Sequence, residues 1–275
     1  MVDFEFQDHY TFEDLLNIVR ILRHPGGCPW DAEQTHESLR RCLMEETCEV
    51  LEAIDRKDDA LLCEELGDVL LHVVFQASLA EDEGKFDMNA VADGICKKMI
   101  YRHPHVFGSV QAATADQVLD NWETLKRAEK GQETDTDTLK AVARTLPALW
   151  RAEKIQKKAA KSGFSWPDIS GAMDKLSEEQ EELRTAVAEQ SNIREELGDV
   201  LFAAVAVARF AGIDPEEALQ EASDKYISRF SVMETQTARQ GRKLADMTLE
   251  EMVQAWNRAK ETQRNANVQE DKKHE

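Results

Sequence analysis

Apolar residues recur every three or four positions through most of this chain, which is the spacing of an amphipathic α-helix. Phe12, Leu15, Val19 and Leu22, for example, fall on one face of a predicted first helix. Only 12 Gly and 6 Pro occur in 275 residues, which favours an all-α fold over a sandwich of short strands. Helices are predicted at about 12–22, 38–54, 60–80, 88–101, 115–129, 146–161, 169–189, 193–211, 215–240 and 248–262.

The predicted helices form two groups with a similar layout. Between the groups, the stretch from Lys130 to Thr138 has almost no apolar content, which is typical of a linker. We therefore predict a helical domain over residues 1–130, a linker at 131–138 and a second helical domain over 139–262. From Gln263 onward the chain is polar, and a tail is expected at 263–275.

A pattern of acidic residues occurs once in each half of the chain. Glu-Glu-x-x-Glu at 45–49 is followed by Glu-x-x-Asp at 65–68, and the same two motifs return at 178–182 and 196–199. A single Glu-x-x-Glu is ordinary on a solvated helix face. Here, however, a basic pair and a Trp-x-x-x-Lys motif follow the acids in both halves, so chance is a poor explanation. The pairs are Lys98/Arg102 and Trp122/Lys126 in the first half, and Lys225/Arg229 and Trp256/Lys260 in the second.

The spacing of these acids predicts a cation site. Residues three apart share a helix face, and a short turn makes the two helices of each half pack antiparallel. Four carboxylates then converge, and their mutual repulsion requires a positive ion. Oxygen ligands select a hard cation such as Mg²⁺ or Mn²⁺. Gly67 and Gly198, each placed between two of the acids, are expected to allow close approach of a facing helix.

Other chemistries fit the sequence less well. A di-iron bundle uses Glu-x-x-His motifs, but the nearest histidine, His72, lies four residues after Asp68 and is replaced by Ala203 in the second half. Phosphate-binding loops of the Walker type, nucleophile elbows and dinucleotide fingerprints do not occur. A helical binding module, in which one copy of the repeat contacts a regulatory protein, remains as the non-enzymatic alternative.

Charge and cysteine content limit the partners and the compartment. The formal net charge of −20 argues against binding to nucleic acids or anionic membranes. The 5 cysteines form no C-x-x-C pair and are odd in number, as in proteins of a reducing cytosol. The first residues lack the features of a signal peptide, and no apolar run is long enough to cross a bilayer. We therefore expect a cytoplasmic protein.

The repeated acidic motifs resemble those of the MazG nucleoside triphosphate pyrophosphohydrolases. Segments 27–31, 102–107 and 144–149 are also similar to the two-domain members of that family, and the resemblance extends over about residues 11–262. It implies an all-α, dimeric, Mg²⁺-dependent enzyme that cleaves a nucleoside triphosphate (NTP) between the α- and β-phosphates. The products would be a nucleoside monophosphate and pyrophosphate. One departure is that the second copy lacks the Arg-His-Pro-His segment found at 102–105.

The resemblance also implies roles for individual residues. The metal ligands would be a first acidic set of Glu46, Glu49, Glu65 and Asp68, and a second acidic set of Glu179, Glu182, Glu196 and Asp199. Glu178 or Glu195 would orient or deprotonate the attacking water. The resemblance also places Lys225, Arg229 and Trp256 at the nucleotide. We further predict that Lys175 and Lys260 bind the nucleotide, with Lys98, Arg102, Trp122 and Lys126 as the binding residues of the first copy.

Three further expectations concern specificity, activity and assembly. Stacking on Trp256 tolerates any base, so base selectivity should be weak. Both copies keep all four acids, and the resemblance favours the second copy as the active one. The predicted helix from Leu197 to Phe210 is apolar on more than one face, which predicts a dimer contact.

Overall fold

The structure is a computed structural model that describes residues 4–274, with side chains described for 4–119, 121–262 and 264. All regular secondary structure in this part of the chain is helical, which confirms the all-α prediction. The chain divides into two compact units between Lys126 and Arg127. The helices before and across this division are α1 (Phe12–Arg23), α2 (Pro29–Ala32), α3 (Arg40–Arg56), α4 (Asp59–Asp82), α5 (Met88–Arg102), α6 (Pro104–Phe107) and α7 (Ala115–Glu129).

The second unit contains six more α-helices and one short 3₁₀-helix at Leu244–Asp246 among the residues described. The most extensive helix–helix contact in this unit is between α10 and α11, which lie along one another. The helices are α8 (Asp135–Lys140), α9 (Ala148–Lys161), α10 (Ile169–Glu189), α11 (Ile193–Ala211), α12 (Pro215–Arg239) and α13 (Leu249–His274).

In the first unit, α4 is the central helix, and both α1 and α3 pack against it. Val19 of α1 meets Val74, Phe75 and Leu79 of α4 in a buried cluster that also includes Leu39. Burial of large aliphatic and aromatic side chains supplies most of the free energy that holds such helices together. The connection between α3 and α4 is short and turns at Lys57, which has a φ of 53°, so the two helices run antiparallel.

In the second unit, α11 packs against α10, α9 and α12, and α12 packs along α13. The α10–α11 connection is again short, with Gln190 and Asn192 in the left-handed conformation. The contact between α12 and α13 is made by buried Met233, Ala255 and Ala259. Each unit thus presents one tightly connected antiparallel helix pair, α3–α4 and α10–α11, and the acidic motifs lie on these pairs.

Several details differ from the sequence predictions. The stretch predicted as a linker at 131–138 contains the start of α8, which begins with a capping box between Thr134 and Asp137; this signal was present in the sequence. The segment after Cys28 forms a single helical turn that is not among the predicted helices, because Pro29 is well suited to a first helical position. Helix α13 extends to His274, through the predicted tail.

The prediction that Gly67 and Gly198 allow close approach of a facing helix is wrong for the described part of a single chain. A Cβ atom added at either position would have no neighbouring heavy atom within 4 Å, so no facing helix in the described part of the same chain approaches these glycines. Both lie on the exposed sides of their helices. Separately, no helix in the described part of the chain is long and apolar enough to cross a membrane.

Candidate metal site and adjoining cavity

The short turns of the two helix pairs bring acidic residues together across each pair. In the first unit, Glu46, Glu49 and Glu65 each place a carboxylate oxygen within 4.8 Å of the others. In the second unit, the same holds for Glu179, Glu196 and Asp199. A hard cation lies about 2.0–2.6 Å from each ligand oxygen, so its ligands are separated by up to about 4–5 Å. Both groups therefore fit a divalent cation held by oxygen.

The fourth member of each acidic set lies beside these groups. Asp68 is close enough for its charge to contribute to a raised pKa at both Glu46 and Glu65. Glu182 also has a raised pKa, mainly because of burial and next because of the charge of Glu179. The structure thus brings all eight predicted ligands to the two sites, but the tightest three are not the same three in each copy.

Burial and mutual repulsion dominate the electrostatics of Glu46 and Glu65 in the first acidic set. Burial raises the pKa of Glu46, and the neighbouring carboxylates Glu49, Asp68 and Glu65 raise it further. Burial and then Glu49 raise the pKa of Glu65. A bound divalent cation would reverse both effects, because it favours the ionised carboxylates.

The two copies differ in the basic residue that lies beside the equivalent glutamates, Glu179 and Glu46. Lys175 Nζ lies 2.7 Å from Glu179 Oε1 and 2.8 Å from Glu178 Oε1, and the two carboxylates raise the pKa of this lysine. In the first copy, His72 Nε2 lies 4.0 Å from Glu46 Oε1. Burial lowers the pKa of His72, which favours its neutral form. A permanent charge therefore accompanies only the glutamate of the second copy.

The two residues proposed to act on water lie in different surroundings. Glu178 is exposed, accepts the hydrogen bond from Lys175 and lines a polar depression together with Glu182 and Glu196. Glu195 is exposed in the first turn of α11 and lines neither this depression nor the cavity described next. The geometry of a single chain therefore favours Glu178.

A cavity of about 500 Å³ adjoins the second acidic set. Lys175, Glu179 and Asp199 form part of its wall, and the rest comes from α8, α9, α10, α11 and the loop at 163–166. Pockets of this size commonly hold small organic ligands. Sequence reasoning did not assign the cavity residues that follow to the site. They are Gln156, Phe164, Ser165, Trp166, Phe202 and Arg209.

The loop at 163–166 is held in place by packing and one hydrogen bond. Arg209 Nη2 donates to Ser165 Oγ at 3.1 Å. The ring of Trp166 rests on Gly171 in the first turn of α10, where an added Cβ would lie 3.1 Å from a ring carbon. The sequence Gly-Phe-Ser-Trp at 163–166 is similar to Gly-Cys-Pro-Trp at 27–30 in the first half of the chain, but nothing in the sequence showed that α11 lies beside it.

The predicted nucleotide-binding residues of the second copy lie on α12 and α13. Trp256 packs beside the buried cluster of these helices, with its ring centroid 4.8 Å from that of Tyr226. Lys225 is exposed and Arg229 is half-buried on α12, and Lys260 is exposed on α13. Of the predicted binding residues, only Lys175 lines the cavity.

The predicted binding residues of the first copy are partly occupied with one another. Arg102 is only 5% exposed, and its guanidinium carbon lies 5.1 Å from the ring centroid of Trp122. Lys126 Nζ lies 4.7 Å from the same centroid. Lys98 is half-buried on α5. The Trp122 ring therefore already makes two cation–π contacts.

The fold and the sites define a class of protein: an all-α protein in which an antiparallel helix pair with convergent carboxylates occurs twice. The family model described as "MazG nucleotide pyrophosphohydrolase domain" matches residues 34–107 and 169–232, which include both acidic sets. This chain belongs to the MazG family, and the resemblance seen in the sequence is confirmed.

Three relatives extend this similarity over most of the chain. "Uncharacterized protein YabN" of Bacillus subtilis is 49% identical over 259 residues, which are 93% of this chain and 53% of the relative. A "Nucleoside triphosphate pyrophosphohydrolase" of Escherichia coli is 43% identical over 251 residues, 90% of this chain and 95% of the relative. The "Nucleoside triphosphate pyrophosphohydrolase/pyrophosphatase MazG" of Thermotoga maritima is 41% identical over 249 residues, with the same coverage. The chain thus spans about half of the first relative.

Proposed function

We propose that this protein is a Mg²⁺-dependent nucleoside triphosphate pyrophosphohydrolase that cleaves NTPs and deoxy-NTPs between the α- and β-phosphates. The observation that carries the proposal is the convergence of Glu179, Glu196 and Asp199 within 4.8 Å beside a cavity of ligand size. The names of the relatives from Escherichia coli and Thermotoga maritima support the same activity.

Mg²⁺ would be held by the second acidic set, and Mn²⁺ can replace it because both ions take oxygen ligands. When bound, such an ion neutralises phosphate charge and activates water. Lys175 adds a fixed positive charge next to Glu179, where a triphosphate would otherwise meet only carboxylates. Glu178 can accept a proton from water while it shares Lys175 with Glu179. We assign Glu195 a lesser role in orienting the water.

We infer that the second copy is the active one. Its acidic set adjoins the cavity, and its Glu179 is paired with a lysine rather than with a buried histidine. The first copy keeps its acids and binds a cation, but its Trp122 is occupied by Arg102 and Lys126. The first copy is thus the better candidate for contact with a regulatory protein.

We infer that two chains form the active dimer. Leu197 and Leu201 of α11 are 48% and 50% exposed, and Tyr226 and Ile227 of α12 are 59% and 65% exposed. Apolar side chains in such number on adjoining turns favour burial against another protein surface. Trp256 does not line the cavity of its own chain. A second copy would bring Trp256, together with Lys225 and Arg229, to the site of its partner.

The remaining parts of the proposal concern specificity and surroundings. Weak base selectivity is proposed, as expected from the sequence. The net charge of −20 disfavours nucleic acids and anionic membranes as partners. We propose a cytoplasmic location, which agrees with five free cysteines in the structure.

Release of pyrophosphate from a mixed NTP pool with Mg²⁺ tests the proposed function. Equal amounts of monophosphate and pyrophosphate are expected, whereas diphosphate and inorganic phosphate would show β–γ cleavage instead. Hydrolysis in ¹⁸O-labelled water then identifies the attacked phosphorus by the product that carries the label. A protein that binds NTPs but releases no pyrophosphate would support the alternative of a binding module.

A further inference from the structure

The cavity beside the second acidic set contains a hydrogen-bond acceptor that the described chain does not satisfy. Gln156 of α9 is 9% exposed and lines this cavity. Its Nε2 donates to the carbonyl oxygen of Phe202 at 2.8 Å, which fixes the orientation of the amide. Its Oε1 is buried and accepts no hydrogen bond. Buried polar atoms are nearly always paired, so this oxygen indicates a donor that arrives with a ligand.

The surroundings of this acceptor suit a flat, aromatic ligand. Trp166, Phe164 and Phe202 contribute aromatic wall to the cavity. Arg209 also lines it, and its Nε is buried without a hydrogen-bond partner. Aromatic side chains stack on nucleobases whatever the base, and a guanidinium N–H donates to a ring nitrogen or carbonyl oxygen. The wall of the cavity also includes Lys175, Glu179 and Asp199, beside which the phosphates and the cation would lie.

The cavity exists because two positions of α11 carry small side chains. Ala203 and Ala206 line it. When the sequence of the second copy is aligned with that of the first so that Asp199 matches Asp68, Ala203 corresponds to His72 and Ala206 corresponds to Phe75. His72 and Phe75 are both buried. The first copy therefore fills with its own side chains the space that the second copy leaves for a ligand.

We propose that this cavity binds the nucleobase of the NTP and that Gln156 Oε1 accepts a hydrogen bond from an N–H group of the base. The proposal rests on the proposed function. Adenine and cytosine offer exocyclic amines, and guanine and uracil offer ring N–H groups, so each common base can satisfy this acceptor. The pocket therefore accepts all of these bases but discriminates against a base without any N–H. The base lies against the loop at 163–166.

The comparison of ATP with purine riboside triphosphate tests the role of Gln156. The second compound lacks the 6-amino group and has no N–H on its base. We expect wild-type kcat/KM to be roughly three- to tenfold higher for ATP, the value of one neutral hydrogen bond. In Gln156→Met this ratio should fall to about one. Equal use of both nucleotides by the wild type, or an unchanged ratio in Gln156→Met, would overturn the proposal.

Filling the cavity provides an independent test. Ala206→Phe introduces the side chain that the first copy has at Phe75, and should raise KM for ATP roughly tenfold or more by blocking base stacking. Inhibition by inorganic tripolyphosphate, which has no base, should be unchanged. Ala188→Phe, on an exposed position of α10 outside the cavity, is the matched control and should leave KM unchanged. An unchanged KM in Ala206→Phe would refute base binding in the cavity.

Two outcomes separate this inference from the proposed function. Should Ala206→Phe fail to fold, as judged by circular dichroism, the comparison of ATP with purine riboside triphosphate in wild type and Gln156→Met decides. Should the wild type hydrolyse no NTP, the proposed function fails. Equilibrium dialysis of the same two nucleotides then still tests the pocket, with tighter ATP binding in the wild type but not in Gln156→Met as the supporting result.

Discussion

Replacement of Glu179 by glutamine is the sharpest test of the proposed active site. The side chain of Glu179 is 8% exposed and its Oε1 lies 2.7 Å from Lys175 Nζ, so the change removes a buried, paired charge. This charge is one of the proposed ligands of the cation, whose stabilisation of transition-state charge is worth several kcal/mol. A loss of about 3–5 kcal/mol decreases kcat/KM by roughly two to three and a half orders of magnitude, at 1.36 kcal/mol per factor of ten.

The fold should survive this substitution because Lys175 keeps its 2.8 Å contact with Glu178. Glu46→Gln is the matched control, since it makes the same change at the equivalent position of the first acidic set. Pyrophosphate release under saturating Mg²⁺ is the assay, with circular dichroism as a check on helical content. Near wild-type turnover in Glu179→Gln would refute the assignment of the second copy. If Glu46→Gln alone were inactive, the first copy would be the active one.

Three further predictions concern stability and assembly. Glu46→Gln should raise the Tm of the metal-free protein at neutral pH, because burial and neighbouring carboxylates raise the pKa of Glu46. This gain in Tm should vanish below about pH 4, where the wild-type carboxyl is protonated. An unchanged Tm at neutral pH would contradict the repulsion between Glu46 and its neighbouring carboxylates. Gly198→Ala should stabilise the chain by about 0.5–1 kcal/mol in denaturant unfolding, because the added Cβ meets open space; destabilisation would show that a second copy packs there. Sedimentation equilibrium at micromolar concentration should give twice the monomer mass of 31.2 kDa, and a monomer that hydrolyses NTP would disprove the dimer. If each site is shared between two copies, mixing the Glu179→Gln and Trp256→Ala variants should restore about a quarter of the wild-type activity.

The sequence by itself determined the helices and the acidic residues of the sites. Helix positions follow from a local period of apolar residues, and all ten predicted helices correspond to helices of the structure, because each such period depends only on neighbours in the chain. The convergence of Glu46 with Glu65, and of Glu179 with Glu196, was predictable for a related reason. A short turn between two helices leaves them little choice but to pack antiparallel.

Only the tertiary structure decided what lies between helices that are distant in the sequence. Whether Ala203 and Ala206 leave a cavity depends on α9 and the loop at 163–166, and no local pattern reports the volume of side chains on a facing helix. For the same reason, the unpaired oxygen of Gln156 gave no signal in the sequence, and the expected close packing at Gly198 was wrong. Packing and hydrogen bonding across non-adjacent helices are set by the three-dimensional fit of many side chains at once, whereas helix formation is set along the chain.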